Sequence, residues 1–285
     1  MLNVSQAEQY RTWSRPVKVL VYFLVILNTL LFYFEESGAA TALNLGIATL
    51  EEFYLLYPAT IDTSAWVILV LSFELDTNII GDDKLKGSIK WSGRILRYLC
   101  YFFIVTAFWG YLIDAVDFGY FKVVEISSAC QLADGALVMT ALNDYQNLST
   151  QVCQELGSGI WLYNNQTDVY ILEKLFHETH RLAWLDVINA GAWILICMVL
   201  EYDVRTQLKQ RSEPILLQAS RVIKGVLYVL VTAAAVYWTI FGSLLDGWDA
   251  LIWIFAFMMI ELNLYFWQSE LQLKKERSFF RHTKF

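Results

Sequence analysis

Residues 248–268 read WDALIWIFAFMMIELNLYFWQ. The block carries two acids, Asp249 and Glu261, and no base, over a length close to the roughly 20 residues that cross a bilayer. A helix on the surface of a water-soluble protein shows a charged face over the same distance. Five more apolar blocks precede it, at about 17–34, 59–76, 95–116, 183–201 and 222–243. Over the whole chain 17% of residues are charged and 57% hydrophobic, whereas a soluble domain carries about 25% charged residues. The sequence therefore predicts an all-α, polytopic integral membrane protein with six transmembrane helices. The first block starts near the N-terminus but is followed by Phe34-Glu35-Glu36 rather than a small-residue cleavage site. It reads as a retained helix, not a signal peptide.

Basic residues set the expected orientation, because Lys and Arg concentrate on the cytoplasmic side. With the N-terminus inside, segments 1–18, 74–97, 201–224 and 261–285 are cytoplasmic and hold 18 of the 21 bases but 11 of the 28 acids. Lys122, Lys174 and Arg181 are the three bases left outside. Both termini are expected in the cytoplasm, the long segment 119–182 outside, and the outer face is acidic enough to attract cations. Cys100 and Cys197 fall in apolar blocks, whereas Cys130 and Cys153 fall in the outer segment, where a disulfide between them is expected. Asn147-Leu148-Ser149 and Asn165-Gln166-Thr167 match the glycosylation acceptor pattern on that side, a pattern common by chance.

The block at 248–268 also contains a motif that recurs. Asp249, Trp253, Glu261 and Asn263 share their spacing with Asp62, Trp66, Glu74 and Asp76, and with Asn189, Trp193, Glu201 and Asp203. The pattern is [DN]-x3-W-x7-E-x-[DN]. The blocks that precede these three share another: Arg15, Lys18 and Tyr22; Arg94, Arg97 and Tyr101; Arg221, Lys224 and Tyr228. Internal repetition of this kind predicts copies of one supersecondary unit. Here the unit is a helical hairpin, with copies at about 11–78, 91–118 with 183–205, and 217–270, forming a single transmembrane domain. The segment 119–182 is then a loop or cap inserted in the second copy. Each copy starts on the same side, so the expected pseudo-symmetry axis runs along the membrane normal.

Two roles fit the repeated residues. Glu74, Glu201 and Glu261, with Asp76 and Asp203, lie toward the cytoplasmic ends of their helices, and Asp62, Asn189 and Asp249 toward the outer ends. Lining a central axis, they make a cation path, since rings of acidic side chains select cations. Paired with the bases Arg15, Lys18, Arg94, Arg97, Arg221 and Lys224, they instead lock hairpins together. Glu74 with Arg94 and Glu201 with Arg221 are examples of such pairs, and loops of this length permit them. Two bases per helix, all at the boundary, fit anchoring rather than voltage sensing, which needs charges through several turns. Trp66, Trp193 and Trp253 fall mid-helix and read as packing residues.

In the segment 119–182, Ala136–Leu142 is a short apolar stretch, and Gly157-Ser158-Gly159 and Asn164-Asn165 are turn signals. From Asp168 onward the sequence looks helical. Thr41–Tyr57 reads as an amphipathic helix with Leu43, Ile47, Leu50 and Tyr54 on one face. Glu173, His177 and His180 lie one turn apart and could share a metal ion on one helix face, though the spacing matches no standard zinc motif.

No phosphate-binding glycine loop, nucleophile elbow or zinc-spaced Cys/His cluster is present. Three functional classes follow. The first is a cation-conducting or cation-coupled protein whose carboxylates line a wet path. The second is a non-catalytic subunit or scaffold, as a homo-oligomer or within a larger membrane complex. The third is a membrane enzyme with a metal in the outer segment. The bilayer is the expected partner in all three and nucleic acid in none; no cofactor is indicated. The basic tail (Lys274, Lys275, Arg277, Arg281, Lys284) is expected on the anionic inner leaflet.

Overall fold

The computed structural model describes residues 4–42, 49, 53, 56–75, 88–142, 144–208, 214–241 and 244–282. Seven long or medium helices dominate: α1 (Val4–Ala42), α2 (Pro58–Glu74), α3 (Ser88–Asp117), α4 (Thr150–Leu156), α5 (Glu173–Leu208), α6 (Pro214–Phe241) and α7 (Leu244–His282). Among the described residues, five stretches are long and apolar enough to cross a membrane: Ser14–Gly38, Trp91–Tyr120, Glu173–Thr206, Ile215–Phe241 and Gly247–Phe266. The block at 59–76 forms α2, which at 17 residues is the shortest of the apolar helices. Asp76, Leu43, Ile47, Leu50, Tyr54 and the side chains of the basic tail lie outside the described residues.

The chain divides into two compact units, one of Met1–Ala107 with Trp193–Phe285, the other of Phe108–Ala192. In the first, α1 packs on α2 and α7, α2 on α7, and α6 on α7. Each helix buries one stripe and leaves the rest open. On α1, Val21, Val25 and Asn28 are buried at helical spacing, while Val19 is 69% and Phe23 59% exposed. Apolar exposure on that scale is lipid-facing surface rather than a set of scattered surface residues. The start of α2 is held by α1: the backbone N–H groups of Ala59 and Thr60 donate to the Glu36 carboxylate at 2.7 and 3.1 Å. That satisfies donors every helix leaves open at its N-terminus and sets a negative charge against the positive end of its dipole.

The second unit corrects the all-α expectation, because 121–172 builds a five-stranded sheet. Its strands are β1 (Phe121–Val124), β2 (Leu137–Ala141), β3 (Asp144–Asn147), β4 (Trp161–Asn164) and β5 (Val169–Leu172), in the order β1-β4-β5-β2-β3. All neighbours are antiparallel except β2 and β5. The apolar stretch at Ala136–Leu142 is β2. Helix does not begin at Asp168: residues 169–172 are strand, and α5 starts at Glu173. Alternation decides this, with Val169 and Ile171 buried and Tyr170 and Leu172 half-buried, the period of a pleated strand. Asp168, at φ 59°, takes the tight turn before β5, and the Tyr163 hydroxyl donates to it at 2.8 Å. That bond holds the Tyr163 phenol above its ordinary pKa.

Two apolar clusters fill this unit. One joins Phe118, Met139, Leu162, Val169, Ile171 and Ala183. The other joins Ala129, Val138, Leu148, Cys153 and Trp161. Cys130 and Cys153 form the expected disulfide, tying the turn at 129–131 to α4 with a Cα–Cα distance of 4.9 Å. Cys100 and Cys197 are free and buried.

Candidate functional site: a layer of paired charges

In the helical unit the motif positions meet in the same way three times. Lys18 Nζ lies 3.2 Å from Glu74, Arg97 Nη1 3.4 Å from Glu201, and Lys224 Nζ 2.7 Å from Glu261. The bases come from α1, α3 and α6, and the acids from α2, α5 and α7. The tyrosine one turn further along joins in two of the three. Tyr22 donates to Glu74 at 2.8 Å and Tyr228 to Glu261 at 3.5 Å, whereas the Tyr101 hydroxyl is buried without a hydrogen-bond partner.

These contacts correct the expected pairs. Glu74 is held by Lys18 rather than Arg94, and Glu201 by Arg97 and Arg205 rather than Arg221. Depth is the reason. The second base of each doublet sits three residues further into its helix, about 4.5 Å along the axis, level with the glutamate. The first base stays at the rim: Arg15, Arg94 and Arg221 are all exposed, Arg94 lying 4.9 Å over the Trp91 ring.

A further set of bonds runs between hairpins. Arg97 Nη2 donates to the Ser72 carbonyl at 3.4 Å, and its guanidinium sits 5.5 Å over the Phe73 ring. Lys224 also touches Asp203 at 3.0 Å, and the Ser220 hydroxyl donates to the same carboxylate at 2.7 Å. Asn263 donates to Glu74. Thus α3 meets α2, α6 meets α5, and α7 meets α2. Lys224 and Asp203 are nearly dry, at 8% and 3% exposed, while Lys18, Glu74, Arg97, Glu201 and Glu261 are half-buried. Removing one partner from such a pair leaves a buried charge uncompensated and typically costs about 3–5 kcal/mol.

One or two turns away, the motif tryptophans gather on a residue the sequence reading did not single out. The Phe257 ring lies 4.6 Å from Trp193, 6.1 Å from Trp66 and 6.4 Å from Trp253, in the range of favourable aromatic contacts. The signal for Phe257 lay in the motif register. The positions three, four and seven after each tryptophan are buried in every hairpin: Leu69, Val70 and Phe73; Ile196, Cys197 and Leu200; Ala256, Phe257 and Ile260.

The other expected site residues are placed less uniformly. Asp249 accepts from Trp253 Nε1 at 2.9 Å and from the side-chain amide of Asn28, itself fully buried. Asp62 lies one turn before Trp66 on α2, its Oδ1 buried. Asn189 belongs to the other unit, and its Oδ1 is buried without a hydrogen-bond partner. Asn28, Tyr22, Tyr228, Ser220 and Arg205 complete the polar contacts, and no sequence reading assigned them a role. Asn28 belongs to no repeated pattern; Ser220 precedes Arg221 as Ser14 precedes Arg15, and that recurrence was the signal for it.

In the sheet unit, His180 accepts from Trp184 Nε1 at 3.0 Å, and its ring stacks on Phe118 at 5.3 Å. Among the described residues, no group of three or more His, Cys, Asp or Glu side chains is placed to hold a metal ion, and that includes Glu173, His177 and His180. What the contacts of the helical site do is neutralise charge and join helices. No known protein family, curated protein or solved structure matches this chain.

Proposed function

We propose that this chain is an integral membrane protein of six spans, made of three in–out–in hairpins of one duplicated unit, with both ends in the cytoplasm. In this reading its membrane part is a non-conducting scaffold, as a homo-oligomer or as a subunit of a larger membrane complex. Helix α2, 17 residues long, reaches about 26 Å and is counted as the shortest span. The bias of 18 bases against three supports the orientation. The segment 119–182, with the sheet and the disulfide, then lies outside, in a compartment where disulfides persist, and offers the surface on which a partner docks.

The observation that carries the non-conducting reading is the pairing. Each of Glu74, Glu201 and Glu261 lies within 3.4 Å of a base from its own hairpin. Carboxylates that select ions must face water and exchange it for the ion, and these face Lys and Arg. Three tryptophans gathered on Phe257 are packing, not a pore lining. The test is cation flux in liposomes holding the purified protein. Sodium and potassium flux should match protein-free vesicles. Flux above that background, lost when all three glutamates become Gln, would overturn the reading.

One observation favours the rival, a cation-conducting or cation-coupled protein. Lys224 faces two carboxylates, Glu261 at 2.7 Å and Asp203 at 3.0 Å, so this cluster holds one more negative charge than positive. A proton or a small cation balances it, and opening would exchange the bases for water. The same flux assay decides between the two. The metal-enzyme reading draws no support from His180, whose ring face and Nε2 are already occupied.

A further inference from the structure

We propose that the face of α6 running from Arg221 to Val236 is a binding site for one anionic phospholipid of the cytoplasmic leaflet. A groove of about 550 Å³ lies along this helix, lined by Tyr228, Val229, Thr232, Ala233 and Val236. Its surface is apolar: the Thr232 hydroxyl donates back to the Tyr228 carbonyl at 2.7 Å and leaves its methyl group toward the groove. Small residues at 232 and 233 beside larger ones at 228, 229 and 236 make the hollow. An acyl chain fits such a hollow against a wall that is mostly apolar.

Charge selects the headgroup. Arg221 lies on the same helical face, seven residues before Tyr228 and 15 before Val236. At 1.5 Å per residue the groove runs from about 10 to about 22 Å beyond it, the depth an acyl chain reaches when its phosphate sits at the arginine. Arg221 is exposed, and its Nε donates to the Leu217 carbonyl at 3.3 Å, which anchors the side chain along the helix. No described carboxylate lies within ion-pair distance of its guanidinium. Lys18, Arg97 and Lys224, by contrast, are spent on glutamates. A guanidinium at the membrane boundary with its Nη groups open is a receptor for lipid phosphate, and an anionic headgroup adds attraction to the cationic rim. The leaflet named here rests on the orientation proposed above; the ligand's chemistry does not.

The test is native mass spectrometry of the full chain in detergent, after delipidation and addition of equal phosphatidylglycerol and phosphatidylcholine. The wild-type chain should retain one phosphatidylglycerol about fivefold over phosphatidylcholine, the preference expected of one basic residue at an anionic surface. Arg221→Gln, at an exposed site, should fold normally and lose the preference, while Arg94→Gln keeps it. Ala233→Trp, which fills the hollow, should lose both lipids. Equal retention of the two lipids by the wild-type chain, or an unchanged preference in Arg221→Gln, overturns the site. So does a wild-type dimer that Ala233→Trp converts to a monomer, since a second copy then covers this face. Flux through the same protein in liposomes bears on the scaffold reading alone, so the two proposals fail separately.

Discussion

In the helical unit, polar bonds join one helix to another: Arg97 to the Ser72 carbonyl, Lys224 to Asp203, Asn263 to Glu74. In the sheet unit the corresponding work falls to Trp161, Val138 and Ile171, each fully buried, and to the Cys130–Cys153 bond. The difference follows from solvent. Burying Trp161 from water is favourable by itself. A leucine leaving lipid for a protein interior gains little, so helices in a bilayer are matched by packing and by polar contacts. Both units bury apolar side chains, but only the helical unit also buries paired charges such as Lys224 and Asp203.

Breaking the polar rule should have the largest effect. Lys224→Ala leaves Glu261 and Asp203 facing each other, and the helical unit should lose about 3–5 kcal/mol, read as a lowered melting temperature in detergent. An unchanged midpoint would mean those carboxylates are hydrated rather than paired. The sheet unit answers to its crosslink instead. Cys130→Ser with Cys153→Ser should cost it about 2–4 kcal/mol, seen as proteolysis confined to the segment around 118–172, with the melting of the helices unaltered. Smaller effects separate the hairpins from one another. Tyr22→Phe removes a bond to a carboxylate and should cost about 1 kcal/mol. Tyr101→Phe removes a hydroxyl that is buried without a partner and should be neutral or stabilising in the same melting assay. Equal losses in the two would show that Tyr101 bonds Glu201 after all. Arg221→Gln, at the exposed rim, should move stability by less than about 0.5 kcal/mol.

Much of the helical unit was legible because charge in an apolar block is rare, so every Asp, Glu, Lys and Arg there carries information. The recurring Lys18–Tyr22 and Glu74 spacings named the residues that meet. The spacings did not reveal which base of each doublet meets the glutamate, because three residues of helical depth separate them and the sequence has no marker for membrane level. The polar contacts between hairpins were equally hidden. Asn28 lies outside any repeat, and its role follows from which helices neighbour each other. The sheet was missed for a different reason. Its strands are four or five residues long, too short for alternation to stand out from the apolar beginning of α5. The disulfide was read correctly because two cysteines in one polar segment leave few alternatives.

The order in which the charges are paired also bears on how the chain enters a bilayer during synthesis. Glu74 follows Lys18, and Glu201 follows Arg97, so each glutamate emerges after the base that neutralises it. Asp203 does not: its partner Lys224 lies on the next helix to be made. On the six-span reading, the first hairpin can be released into lipid as a finished unit. The second, ending in an uncompensated Asp203, is held at the insertion machinery until α6 arrives. Chains truncated after Leu208 should therefore stay bound to that machinery longer than chains truncated before Ser88, a difference that crosslinking of arrested chains can measure and that Asp203→Asn should abolish.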